Sequence, residues 1–254
     1  MVLMTTNKAA AEANGKAFSP ADIPVVDGKV YHLSITPEQF APNIIIAGDP
    51  DRVPLLAEGC LKKKDRSDVF HRGLRTITGT AENGLPLTIA TSGMGTPSLE
   101  IVLNEFAILN EIDLVSMQRR KSPIYRTLNI IRLGTSAALQ PDTKLGSFVI
   151  TEYAVGMDNT GLYYGVPQTN ANALLLEKAC EEKIGRFNSR IHPYAAAASP
   201  EIADALYLAA IEESEPAVRG ITITNSGFFA NQGRDVSRIK PTIPDLDRIM
   251  AEVS

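Results

Sequence analysis

Four short stretches of this 254-residue chain combine residue types suited to holding an anion and a flat, hydrogen-bonding ring. The first, Gly48-Asp49-Pro50-Asp51-Arg52, follows the β-branched run Ile44-Ile45-Ile46 and precedes a helical segment. A glycine where a strand ends lets backbone amides approach an oxyanion, and the arginine adds a rigid fork of donors. Arg132-Leu133-Gly134-Thr135-Ser136 repeats the pattern, with an arginine, two hydroxyls and small residues at a strand end. Thr91-Ser92-Gly93-Met94-Gly95-Thr96 is a third small-residue strand end. Each alone can also be read as a plain turn. Ligands of open α/β sheets gather outside the carboxyl ends of the strands, so turns in equivalent places favour a shared site for phosphate.

The fourth stretch is Phe228-Phe229-Ala230-Asn231-Gln232-Gly233-Arg234. In an extended or turning backbone Gln232 and Arg234 fall on the same side, whereas in a helix they would diverge. Glutamine beside arginine can read a uracil edge: the glutamine carbonyl accepts from the ring N–H, its amide donates to one ring carbonyl, and the arginine donates to the other. Cytosine would set an amino donor against the arginine. Phe228 or Phe229 could pack on the ring face, or either could belong to the core.

The elements that must position these residues are short and alternate. Asn43 to Ala47, Leu85 to Ser92, Leu128 to Leu133, Phe148 to Thr151 and Gly220 to Thr224 read as strands, several apolar on both faces. That pattern suits buried strands of a mostly parallel sheet under crossover helices. Helices are expected after Pro97, with Ser98 as cap and Val102, Phe106, Leu109 and Ile112 on one stripe, and from about Asn172 to Lys183. Two more run from Pro200 to Glu213 and from Pro244 to the end. Ser116 to Arg126, carrying Arg119, Arg120, Lys121 and Arg126, reads as a solvated loop in preference to the alternative of a phosphate or partner contact. Residues 1–28 read as a flexible leader and 29–254 as one domain, with no repeat and no long linker.

Composition excludes several classes. Hydrophobic residues make up 44% and charged residues 21%, which supports a packed core rather than a disordered chain. A formal net charge of -4 argues against a nucleic-acid partner. No apolar run approaches the roughly 18 residues of a membrane helix. Cys60 and Cys180 lack metal or redox spacing and read as reduced thiols of a cytoplasmic protein. His32, His71 and His192 are not spaced for zinc, so no metal is expected.

With these four motifs in order, the chain resembles the nucleoside phosphorylase superfamily, and within it the uridine phosphorylases, from about Tyr31 to Pro241. The resemblance implies a three-layer α/β/α fold with a central mixed sheet. It also implies reversible phosphorolysis in pyrimidine salvage: uridine and phosphate give uracil and ribose 1-phosphate, with phosphate as co-substrate and no further cofactor. By resemblance, Gly48, Arg52, Arg132 and Thr135 hold phosphate, and Arg72 completes the site of a neighbouring subunit. His32 reaches across to the ribose 5′-hydroxyl, Met94 lies near the nucleoside, and Phe228, Gln232 and Arg234 form the uracil pocket. Arg132, Gln232 and Arg234 then carry the catalytic step, and the active site requires a homodimer or larger oligomer.

The chain also departs from the family's pattern. The family's Glu-Met-Glu segment, which holds the ribose hydroxyls, lies beyond the uracil segment, and Ser254 comes before it. On that reading the last strand and closing helix are missing, and a catalytically impaired nucleoside-binding relative is the alternative to an active enzyme. A phosphorylase for thymidine, deoxyuridine or a purine is a second alternative. Gly73 replaces a glutamate that helps hold a monovalent cation in relatives, so no such site is expected, and Ala137 stands where a glycine is usual.

Overall fold

The computed structural model describes residues 17–253. Its contacts divide into two compact units, one ending at Thr135 and the other beginning at Ser136. Each has its own sheet.

In the first unit, Val25–Val26 (β1) and Lys29–Val30 (β2) pair antiparallel ahead of Asn43–Ala47 (β3). Helix Arg52–Cys60 (α1) follows, then strands Ser67–His71 (β4), Leu74–Thr80 (β5) and Pro86–Thr91 (β6) and helix Thr96–Glu111 (α2). Ile112–Asp113 (β7), Gln118–Arg119 (β8) and Asn129–Leu133 (β9) complete the unit. The five-stranded sheet runs β4-β5-β6-β3-β9 and is mixed: β3 is parallel to β6 and β9, while β4, β5 and β6 pair antiparallel.

Alternation along the central strands supplies two apolar faces. Ile44, Ile46 and Ala90 pack with Val102, Phe106 and Leu109 of α2. Ile45, Leu87 and Ile89 pack with Val53 and Ala57 of α1. Helices therefore cover both faces of this sheet, the three-layer arrangement that the family resemblance implies. Helix α2 begins one residue before Pro97, with Gly95 at its cap position and no side-chain cap bond, so Ser98 lies inside the first turn instead of capping it.

Two expectations are corrected in this unit. Of the expected leader, residues 1–16 lie outside the described residues, but Ile23 is buried, Phe18 packs on the same core, and β1 is a paired strand. The segment Ser116 to Arg126 is not simply a solvated loop: β8 pairs with β7, Arg119 binds Glu111 and Arg120 lies 3.8 Å from Asp113. Acidic residues at the end of α2 and in β7 take up those charges.

In the second unit, Phe148–Gly156 (β10), helix Ala171–Gly185 (α3), Tyr194–Ala197 (β11), helix Pro200–Glu212 (α4), Ala217–Thr224 (β12) and helix Leu246–Ala251 (α5) follow in order. The sheet order is β11-β10-β12, parallel between β10 and β12 with an irregularity at Thr151/Tyr153, antiparallel between β10 and β11. Val155, Ala173, Cys180, Ile184, Leu246 and Met250 form its core. Helix α3 is started by Asn170, whose side chain accepts from the Ala173 amide at 3.0 Å. Residues 134–147 are largely exposed and contain no strand or helix. Among the described residues no helix is long and apolar enough to cross a membrane.

Candidate active site

The register of the first sheet aligns three of the four sequence motifs. Ala47, the last residue of β3, lies opposite Thr91, the last of β6, and opposite Leu133, the last of β9. Three parallel strands thus stop level with one another, and the turns Gly48–Arg52, Ser92–Gly95 and Gly134–Thr135 leave from one sheet edge. The Ser92 amide donates to the Ala47 carbonyl at 2.7 Å, tying the first two turns together. The β4–β5 turn reaches the same edge, since the Arg75 amide donates to the Thr91 hydroxyl at 3.0 Å.

Close approach explains the small residues. A Cβ on Gly93, whose φ is +69°, would fall 2.3 Å from the Ser98 hydroxyl. On Gly134 it would fall 2.8 Å from Nη1 of Arg132, so the arginine folds over the turn that follows its strand. Arg52 opens α1, where exposed amides and the helix dipole favour negative charge. Arginines 66, 75, 119, 120 and 219 are held in ion pairs, whereas Arg52, Arg72 and Arg132 take part in none of those found among the described residues. Met94 is 94% exposed between Gly93 and Gly95.

Arg72 sits at the β4–β5 turn with φ +52°. Its guanidinium lies 5.0 Å from the centre of the Tyr31 ring and donates to the Tyr31 hydroxyl at 3.1 Å. His32 is next to it, edge-on to Tyr31. The ring Nδ1 of His32 lies 2.8 Å from Glu105 Oε1, and that buried carboxylate also accepts from the His32 and Leu33 amides. Sequence reasoning missed Glu105. The available signal was an acid inside the stripe Val102, Phe106, Leu109.

In the second unit the backbone after β12 folds into a 3-10 turn at Ala230–Gln232, ended by Gly233 in the left-handed region. The Gln232 and Arg234 amides both donate to the Phe229 carbonyl, at 2.9 and 3.0 Å. Phe228 and Phe229 meet edge to face with centroids 5.3 Å apart, and the Arg234 guanidinium lies 4.2 Å from the Phe228 ring centre. Both rings are more than half exposed, so neither belongs to the core. An aromatic face, a guanidinium and an amide are therefore grouped on one turn. A separate pocket of about 130 Å³ lies in this unit between Met157, Ile184, Asn225 and Ile243, and none of Phe228, Gln232 and Arg234 lines it. Among the described residues no His, Cys, Asp or Glu cluster could hold a metal ion.

Comparison with known proteins bears on these arrangements. Residues 42–251 match the phosphorylase superfamily. A uridine phosphorylase of Thermococcus kodakarensis is 30% identical over 138 residues, 54% of this chain and 43% of that protein. A DeoD-type purine nucleoside phosphorylase of Thermoanaerobacter is 33% identical over 120 residues, 47% of this chain and 44% of that protein. The alignments thus span less than half the length of these curated relatives. The crystal structure of a Trypanosoma brucei nucleoside phosphorylase, described as showing uridine phosphorylase activity, superposes with a TM-score of 0.82 at 32% identity, covering 91% of this chain and 78% of that one.

Proposed function

The chain belongs to the phosphorylase superfamily, and from that premise we propose that it is a cytoplasmic uridine phosphorylase acting in pyrimidine salvage. One observation carries the phosphate half of the reading: β6, β3 and β9 end in register and send three small-residue turns, with Arg52 and Arg132, from one sheet edge. Backbone amides and unpaired guanidinium groups at such an edge suit a phosphate dianion. Gly48, Arg52, Arg132 and Thr135 are assigned to phosphate, and Arg72 to the phosphate of a neighbouring subunit in a homo-oligomer.

The base is assigned to Phe228, Gln232 and Arg234. Cleavage of a glycosidic bond develops positive charge on the sugar and negative charge on the departing base. Phosphate held by arginines answers the first charge and attacks the anomeric carbon. Hydrogen bonds from Gln232 and Arg234 strengthen as uracil becomes anionic, which lowers the barrier to its departure. His32 and Met94 are assigned to the ribose side.

The test is uracil release from uridine by the 254-residue chain, with and without inorganic phosphate, with thymidine and inosine as comparison substrates. Release that requires phosphate and prefers uridine is the expected result. Preference for inosine would replace this reading by a purine phosphorylase, which the purine-specific relatives favour. Release that proceeds without phosphate would remove phosphorolysis altogether.

A further inference from the structure

Glu105 is a carboxylate in a place built for hydrocarbon. It lies on the buried stripe of α2 with Val102, Phe106 and Leu109, and only 5% of its surface is exposed. Burying an ionised carboxylate is strongly unfavourable unless its lone pairs are taken up. Here three donors from two consecutive residues serve it. The His32 amide and the Leu33 amide reach Oε1 and Oε2 at 2.7 Å each, and His32 Nδ1 reaches Oε1 at 2.8 Å.

The consequence for the imidazole is chemical. An ionised carboxylate only accepts, so Nδ1 of His32 must carry the proton in that contact. In the neutral ring Nε2 is then the acceptor. The His32 side chain is 28% exposed, Tyr31 meets the ring edge-on at 5.0 Å, and His71 Nδ1 lies 3.1 Å from the His32 carbonyl. The loop is therefore fixed at its backbone, and the ring is fixed at one of its two nitrogens.

We propose that Glu105 is a positioning residue: it locks His32 in the Nδ1-protonated tautomer and turns Nε2 into a fixed acceptor for a hydroxyl group of the ligand. Identifying that hydroxyl as the nucleoside 5′-hydroxyl rests on the proposed phosphorylase reading; the tautomer itself does not. No other basic side chain forms an ion pair with Glu105 among the described residues.

Two measurements test it. Long-range proton–nitrogen spectra of the histidine-labelled chain, with His32 assigned by replacing His71 and His192 in turn, report the tautomer without touching Glu105. The expected spectrum shows the neutral His32 ring protonated at Nδ1. Protonation at Nε2 would overturn the proposal whatever the enzyme's substrate. In Glu105→Gln, one accepting oxygen becomes a donor, and the spectrum should shift toward a mixture of tautomers. In kinetics, kcat/KM for uridine should fall about tenfold in that variant, the effect of one hydrogen bond, and fall less for 5′-deoxyuridine. Equal losses on the two substrates, with the folded state intact by circular dichroism, would reduce Glu105 to a structural role. If the chain phosphorolyses neither substrate, the functional reading fails and the tautomer result still decides the positioning claim.

Discussion

Arg52 and Arg234 stand on different turns and are assigned different halves of one reaction, so their loss should be distinguishable. Arg52→Ala is expected to raise the phosphate KM about 10- to 100-fold, the worth of a charge-assisted hydrogen bond, while the preference for uridine over inosine persists. Arg234→Ala should do the reverse, lowering turnover and base preference with phosphate KM nearly unchanged. Initial rates against varied phosphate and varied nucleoside separate the two, and equal effects on phosphate KM would contradict the assignment. The three strand-end turns were legible in the sequence because glycines and arginines at the end of a β-branched run are local signals. Glu105 was not, because a helical stripe is read by its apolar positions and treats an acid as a gap. The partner that makes the acid meaningful, His32, is 73 residues away. The exposure of Phe228 and Phe229 was also illegible, since an aromatic pair looks the same in a core and on a surface turn.

Elements with two apolar faces declared themselves. The segment Asn43–Ala47 is a strand with the bounds expected, and the Leu85 to Ser92 run contains β6. The β4–β5 hairpin escaped notice because Ser67–His71 sets two polar residues, Ser67 and Asp68, beside two apolar ones, Val69 and Phe70, and so lacks the two-residue period of a strand; its strand character comes from pairing with β5. Strand β11 escaped for a related reason: Tyr194–Ala197 is mostly alanine, a weak strand former, and it is recruited by β10. That strand carries a testable group. The Tyr194 hydroxyl donates to Asp158 Oδ1 at 2.9 Å, and burial, then this hydrogen bond, push its phenol up to about 12. An unfolded tyrosine titrates at about 10. The native state therefore holds a proton that the unfolded state has lost. This stabilisation is complete below pH of about 10 and disappears as pH rises toward about 12. Denaturant midpoints should fall across that window, and Tyr194→Phe should flatten the fall. At neutral pH the same variant leaves buried Asp158, whose Oδ2 already lacks a partner, short of another donor, and should lose about 1–3 kcal/mol.

At the scale of the whole chain, the first unit organises its core around a five-stranded sheet and the second around a three-stranded one. The sequence reads as one domain with no long linker, because Gly134, Pro141, Asp142 and Gly146 in the connection between the units are equally the marks of an ordinary surface loop. The exposed Lys144 within it makes a prediction: among the described residues, brief treatment with trypsin should cut there first, giving one fragment that ends at Lys144 and another that begins at Leu145. Mass spectrometry of the early products reads the result, and a first cut inside α1 or α3 would show that the helices open more readily than the connection. The same stretch also defines where this architecture has room to diverge. Because doubling a flexible loop adds only about 0.6 kcal/mol of closure entropy, extra residues beside Leu145 would leave both hydrophobic cores with the side chains they already have. Length variation among natural homologues, or a peptide tag introduced by design, should accumulate there and not within β6, β3 and β9, where one added residue would reverse the direction of every strand side chain beyond it.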